Sequence, residues 1–412
     1  MADPGNAQFH LTDPRGASDK SGRTFNNPYQ YFFEQMHMDD AIYADESIYE
    51  YPMQQGGGND GRPYSFGRPS SGGSKAAYPC KSYGQGRINP AYFYGVFDPN
   101  DMRRDVSITM TGSNGKGVEK LIPFVPNSKA EGGGLTLNKW DENRQANPWV
   151  AAQRKSGING PYMRMSEVYL GYAEVCAALG DVVTGKQYLK TVRERSFPQG
   201  LADTDGFIAS FGNDLVRAII EERGFEYAGE GDRRWTLIRS GYLPEDIKRI
   251  KDMTKAMMDG LATKGYYEFE NGNIISAYIW TKLVDAKTIY GHRLTAQCPM
   301  DKVNDPVLYP GWRGQKDNWE EMGLNYGSST PATNLAIKGL FEIVSEEEAA
   351  SLESQGYAKV NWGIDLVDYR DEYDKYLFWD YDYVSAPIYL WPFTPNVMAA
   401  GGFTNGYGFK QE

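Results

Sequence analysis

The sequence predicts a mainly α protein made of tetratricopeptide-like helix pairs, joined by long irregular loops and carrying a few short strands. Three observations predict it. Apolar residues at three- and four-residue spacing cover 162–179 and a second helical run covers about 184–195, so the two together span about 34 residues, the length of one tetratricopeptide repeat. A second helical pair follows over about 205–240, and stacked pairs are the natural way to bury both. Elsewhere, stretches rich in Gly, Ser and Pro separate the elements.

Taken in chain order, residues 1–30 are polar, with little to bury, and are expected to form a loose or surface-wrapped segment. Residues 31–160 read as a loop-rich region with short strands. Within it, a Gly/Ser/Pro-rich stretch at 54–86 carries Tyr64, Phe66, Tyr78 and Tyr83. It is too long for an ordinary connection, and aromatics spaced through flexible backbone point to a functional loop. Gly160-Pro161 then opens the first helix, because Pro fits a first helical turn, and Met165, Val168, Tyr169, Tyr172, Val175, Cys176 and Leu179 form its apolar face. Gly180-Asp181 ends it. The second helix sets Tyr188, Leu189 and Val192 on one side, and Pro198 closes the unit. Ala173 and Gly185 fall at small positions of the repeat, where they let the two helices approach closely. Residues 161–412 thus form a helical region, with an insertion expected at about 242–388 in which short helical and irregular pieces alternate. It includes an aromatic, Gly-rich loop at 305–327 with Tyr309, Trp312, Trp319 and Tyr326. The tail at 389–408 is rich in Pro, Gly and aromatics and is expected to be extended.

Composition narrows the function classes. Lys and Arg total 43 against 54 for Asp and Glu, a net charge of −11, so no nucleic-acid partner is expected. Cys80, Cys176 and Cys298 lie far apart and form no C-x-x-C pair, which argues against a zinc ribbon or redox motif. The 30 Tyr and 9 Trp sit in a chain of mean hydropathy −0.59, a mixture that suits wet ligand surfaces because these rings offer an apolar face and a polar tip. No apolar stretch is long enough to span a bilayer, and the sequence from Met1 shows no signal-peptide pattern.

Four segments in order resemble the SusD/RagB family of nutrient-binding lipoproteins. These are Tyr162-Met163-Arg164-Met165-Ser166-Glu167-Val168-Tyr169-Leu170-Gly171-Tyr172-Ala173-Glu174, then Val192-Arg193-Glu194-Arg195, then the run from Ile220-Glu221-Glu222-Arg223 through Glu226 and Glu230 to Arg233-Arg234-Trp235-Thr236-Leu237-Ile238-Arg239, and finally Tyr389-Leu390-Trp391-Pro392-Phe393. They look like the family's R-x-x-E-x-x-L-x-Y-A-E helix, V-R-x-R turn, E-E-R-x-x-E-x-x-G-E-G-x-R segment and Y-L-x-P strand. Upstream, Asp45-Glu46-Ser47-Ile48-Tyr49-Glu50, Asp98 with Arg103, Arg104 and Asp105, and Lys139-Trp140 resemble, more weakly, the family's acidic strand, D-x-R-like stretch and K-W strand. The resemblance implies a SusD-like α/α superhelix, a surface lipoprotein of the outer membrane, and capture of an oligosaccharide or peptide for a TonB-dependent, SusC-like transporter, with no catalysis and no cofactor. It also implies a lipidated leader and further helical repeats ahead of Met1, so the chain reads as a piece of a longer protein.

The charged run at 221–234 admits two readings. Glu221, Glu226 and Glu230 could supply the acid and base of a glycoside hydrolase, with Glu226 and Glu230 on one helix face if the helix ran past Gly229. The alternating signs favour ion pairs that lock one helix pair onto the next, with Arg164, Glu167 and Glu174 as partners. Nucleophilic and phosphate-binding motifs are missing: His10, His37 and His292 stand alone, and Gly112-Ser113-Asn114-Gly115-Lys116 has too few residues between its glycines for a P-loop. No metal site is expected; the acidic loop at Asp98-Pro99-Asn100-Asp101 and the pair Asp380 and Asp382 read as turn residues. Sugar rings stack on Tyr and Trp, so the ligand residues are expected in the aromatic loops: Tyr64, Tyr78 and Tyr83 first, Trp312 and Trp319 second. A tetratricopeptide-like scaffold for protein tails is the alternative from another class.

Overall fold

The computed structural model describes residues 11, 29, 32–33, 46–54, 56, 66–69, 82–113, 119–125, 133–140, 156–285, 333–371 and 393–402. Strand β1 (Ser47–Tyr51) precedes two short helices, α1 (Pro90–Gly95) and α2 (Arg103–Ser107). Four strands of two or three residues follow: β2 (Ile108–Thr109), β3 (Thr111–Ser113), β4 (Glu119–Leu121) and β5 (Thr136–Leu137). Strand β6 (Gly160–Arg164) leads into the helical body of α3 (Met165–Ala178), α4 (Val182–Arg195), α5 (Thr204–Ala209), α6 (Leu215–Glu226), α7 (Asp232–Ser240) and α8 (Leu243–Lys264). Beyond it lie β7 (Tyr266–Glu268), β8 (Ile274–Ser276), β9 (Tyr278–Asp285), β10 (Thr333–Lys338), α9 (Glu346–Ser354), β11 (Ala358–Asn361), α10 (Gly363–Asp368) and α11 (Pro395–Gly401). Every sheet is small. β1 pairs antiparallel with β6, β2 with β5, β3 with β4 and β7 with β8, while β9 lies between β10 and β11. The described chain is therefore mainly α, as predicted.

Local chemistry starts and stops the helices. Asp181, Asp203 and Asp214 each stand just before a helix and accept a hydrogen bond from the backbone N–H of Thr184, Gly206 and Arg217, which fixes the starts of α4, α5 and α6. Pro244 sits in the first turn of α8, Glu245 and Asp246 face its positive end, and Gly265 at φ 77° terminates it. Helices α3, α4 and α6 enclose Leu170, Ala173, Leu189, Val192, Ala218 and Ile219. A Cβ built on Gly185 would lie 3.0 Å from the Ala173 carbonyl oxygen and 3.2 Å from Leu215 Cδ2, so the close approach expected of Ala173 and Gly185 is present. A second, larger core joins Phe93, Tyr94 and Phe97 to Met257 and Leu261 of α8, to Ile279 and Ile337 of the three-stranded sheet, and to Trp362. Burying each such side chain contributes about 1.5–3 kcal/mol. Trp362 Nε1 donates to Tyr94 Oη at 2.8 Å, which satisfies the polar tips of two fully buried rings.

The structure corrects several expectations. Residues 160–164 are strand, not the first helical turn: Glu50 pairs with Pro161, Tyr49 with Met163, and Arg164 keeps extended backbone at φ −122°. Cross-strand pairing with a distant segment overrides the local helical pattern. The buried face of α3 is Leu170, Ala173 and Cys176, while Val175 and Leu179 are 46% and 81% exposed, because α4 and α6 meet the helix along its small residues. The second pair contains three helices, α5 to α7, since Asn213 at φ 65° and Asp214 break the run before α6. Past Gly241 the chain forms a helix of 22 residues rather than short pieces. In the tail, Pro395 opens a helical turn that Gly402 at φ 64° closes, where an extended segment was expected.

Candidate functional site

The best-built polar constellation lies where β1, α2, β6, α4 and α6 converge. Helix α6 ends at Glu226, and the chain turns back through Gly229 at φ 82° and Gly231 at φ 97°, so Glu226 and Glu230 do not share a helix face. They converge nonetheless on Arg164, at the junction of β6 and α3. Arg164 Nη1 donates to Glu226 Oε1 at 2.8 Å and to Glu46 Oε1 at 2.9 Å; its Nη2 and Nε donate to the two oxygens of Glu230, both at 2.9 Å. Arg195, from the end of α4, bonds Glu46 and Glu226, both at 2.6 Å. Arg103 at the start of α2 grips Asp101 with two nitrogens, at 2.9 and 2.7 Å, and meets Glu226 at 3.2 Å and Glu222 at 2.7 Å. Arg193 takes the other oxygen of Glu222 at 2.8 Å, and Lys139 Nζ donates to Glu230 at 2.5 Å. Five cations thus face five carboxylates, nearly all of their side-chain surface hidden from water. Aromatic rings wall the cluster: Tyr29 and Phe33 lie under Lys139, and Tyr227 under Arg164.

Electrostatics decide what this cluster can do. Burial pushes the Glu226 carboxyl up, but Arg195, Arg164 and Arg103 together outweigh burial and hold it well below the usual carboxylate range. Burial depresses the Lys139 ammonium to about 8 despite the opposing pull of Glu230. A carboxyl held this firmly as an anion cannot give a proton to a leaving group, and its sealed position leaves no room for a sugar. Glu221 is also buried and is paired with Arg217 and Arg233. The acid and base sketched from Glu221, Glu226 and Glu230 are therefore structural ion pairs. The partners expected for the charged run are in place too: Glu167 pairs with Arg223, and Glu174 with Arg239.

Of the residues expected to touch ligand, Tyr83 is half-buried beside Gly84, whereas Tyr64, Tyr78, Trp312 and Trp319 lie outside the described residues, as do the three histidines and Asp380 and Asp382. Asp101 is committed to Arg103, and Asp98 caps its own turn by accepting from the Asn100 N–H at 2.8 Å. Among the described residues, no group of three or more His, Cys, Asp or Glu side chains is placed to hold a metal ion, and no helix is long and apolar enough to cross a membrane. Sequence reasoning passed over one exposed feature. The ribbon β1–β6 gathers Tyr49, Tyr51 and Tyr162 on its surface; the resemblance placed a strand at 45–50, but nothing in it singled out these tyrosines.

The model of the SusD family matches residues 9–393. A SusD-like protein of Formosa agariphila is 28% identical over 160 residues, which are 39% of this chain and 26% of that protein. Among solved structures, a SusD homolog from Bacteroides thetaiotaomicron is 20% identical with a TM-score of 0.40, covering 57% of this chain and 49% of that one. Surface glycan-binding protein A from the same organism, in complex with laminarihexaose, is 18% identical with a TM-score of 0.37, covering 52% and 46%. The chain thus spans about a quarter of the curated relative and about half of each of these solved chains.

Proposed function

The chain belongs to the SusD family, and from that premise we propose that it captures oligosaccharides at a cell surface, without altering them, for uptake through a TonB-dependent, SusC-like transporter of the outer membrane. The family match across 9–393 carries the reading. The ion-pair lattice supports it, because the chain's most concentrated charges are spent on holding helices together, which leaves no carboxylate pair there for hydrolysis. In this reading the ligand is held by ring stacking and hydroxyl hydrogen bonds in the aromatic loops, with Tyr64, Tyr78 and Tyr83 first and Trp312 and Trp319 second. Affinity stays modest, since a capture protein must also release its cargo.

Isothermal titration of the chain against a panel of neutral oligosaccharides tests this. The expected result is saturable binding to one linkage class, weakened by Tyr83→Ala, with no reducing ends released. Saturable binding of a peptide and of none of the sugars would overturn the glycan reading, and sugar release abolished by Glu226→Gln would overturn the non-catalytic one.

A further inference from the structure

The tyrosine ribbon deserves a role of its own. In β1–β6, Tyr49 is 58% exposed, Tyr51 52% and Tyr162 73%. Tyr49 and Tyr51 are both exposed on β1, whose pairing with β6 is irregular on either side of Tyr49, and the Tyr49 and Tyr162 rings meet edge to face, with centroids 5.7 Å apart and planes at 87°. Two perpendicular rings make an open corner. Met163, partly exposed, pairs with Tyr49 across the strands. The one carboxylate of the strand, Glu50, is drawn to Asn159, whose Nδ2 donates to it at 2.8 Å, while Asn159 Oδ1 accepts from the Met53 N–H at 2.7 Å. The exposed tyrosine and methionine side chains themselves carry no charge.

The base of this ribbon is rigid. Glu46 directly precedes β1 and is bonded by Arg164 and Arg195; Arg164 ends β6 and is bonded by Glu226 and Glu230. Both strands thus spring from the ion-pair lattice, so the tyrosines are positioned before any ligand arrives and little ordering entropy remains to oppose binding. Their size limits what they can hold. Tyr and Met side chains of about 200 Å² each, exposed to these fractions, offer about 400 Å², half of the ~800 Å² that each partner of a stable protein interface contributes.

We propose that Tyr49, Tyr51 and Tyr162 form a stacking platform for one or two units of a neutral oligosaccharide, separate from the loop aromatics. A pyranose offers an apolar C–H face to one ring of the corner, its edge to the other, and its hydroxyl rim to water and the phenol oxygens. The proposal rests on the glycan-capture reading.

Titration calorimetry of the full chain with laminarihexaose, cellohexaose, maltohexaose and xylohexaose separates the two. For the sugar that binds, Tyr162→Ala and Tyr49→Ala each weaken affinity by about tenfold with an unchanged melting temperature, while replacing Tyr369, an exposed tyrosine just past the end of α10, by alanine has no effect. Undiminished sugar binding by the Tyr49→Ala/Tyr162→Ala double variant overturns the platform and leaves glycan capture standing. If no sugar binds the wild-type chain, capture and platform fall together. Self-association of the wild-type chain in sedimentation velocity that Tyr162→Ala abolishes overturns the platform in favour of a contact between copies.

Discussion

Replacing Glu226 by glutamine isolates the lattice with the smallest change of shape. Glutamine keeps one acceptor oxygen but loses the charge shared by Arg164 at 2.8 Å, Arg195 at 2.6 Å and Arg103 at 3.2 Å, and it sets an NH₂ donor against a guanidinium. Removing one partner from a buried ion-pair set costs about 3–5 kcal/mol, since the remaining charges stay buried without compensation. With an unfolding entropy of about 2.1 cal/mol/K per residue, a chain of 412 residues melting as one unit loses about 3–6 °C in Tm. Differential scanning calorimetry at pH 7 reads this directly. The pH dependence adds a second check. The Glu226 carboxyl is depressed in the folded state, so its stabilisation is complete above its ordinary value of 4.5 and declines as pH falls below that, where the unfolded chain takes up the proton first. Wild type should therefore lose its advantage over Glu226→Gln in acid, by about 2 kcal/mol between pH 4.5 and pH 3. A variant melting within about 1 °C of wild type at pH 7 would refute the account of the lattice as a structural clamp.

Other substitutions follow from the same structure. Lys139 has the opposite pH signature: burial lowers its folded value to about 8 from 10.5, so between those limits the unfolded chain holds the extra proton and stability rises with pH, by about 3 kcal/mol. Lys139→Met should abolish that rise, and parallel urea titrations that gave both proteins the same gain in unfolding free energy from pH 8 to pH 10 would contradict it. Gly185→Leu forces a side chain against the Ala173 carbonyl and Leu215, with an expected loss of at least about 2 kcal/mol, whereas Gly185→Ala stays within about 1 kcal/mol because gained helix propensity offsets the tight contact. Equal melting of the leucine variant and wild type would show that α3 and α4 are not packed along this glycine. Trp362→Phe leaves the buried Tyr94 hydroxyl without its donor and costs about 1–3 kcal/mol, part of which Tyr94→Phe should restore in a double-mutant cycle.

Much of the helical body was legible because its evidence is local. Leu189, Val192 and Gly185 sit at repeat spacing, and the aspartates that cap α4 to α6 precede their helices directly. The start of α3 was not, because the strand character of Tyr162 to Arg164 comes from a partner far upstream in the chain. Helix α8 was legible but passed over: Leu243, Ile247, Ile250, Met253, Met257 and Leu261 recur at three- and four-residue spacing, and Pro244 and Gly265 mark its ends. The charged run at 221–234 revealed ion pairing by its alternating signs but could not say which distant groups would meet Glu226. Glu46, Arg103 and Lys139 stood in the segments with the weakest family likeness, and it is their side chains that complete the lattice. The exposed tyrosines were hidden by abundance, since three rings among 30 tyrosines draw no attention until a sheet register brings them together.

The lattice also bears on the order of folding events. Glu46 is 149 positions from Arg195, and Arg103 is 123 from Glu226, so each bond closes a long loop and the chain loses that entropy before any pairing rewards it. Helix hairpins such as α3 with α4 need no such closure and can form first, leaving the ionic clamp to lock last. Late locking places the clamp's contribution in the escape rate from the native state: in a chevron measurement, weakening it should quicken unfolding and leave refolding nearly untouched. A clamp of this kind guards the folded state by rate, through the barrier to leaving it, more than by equilibrium.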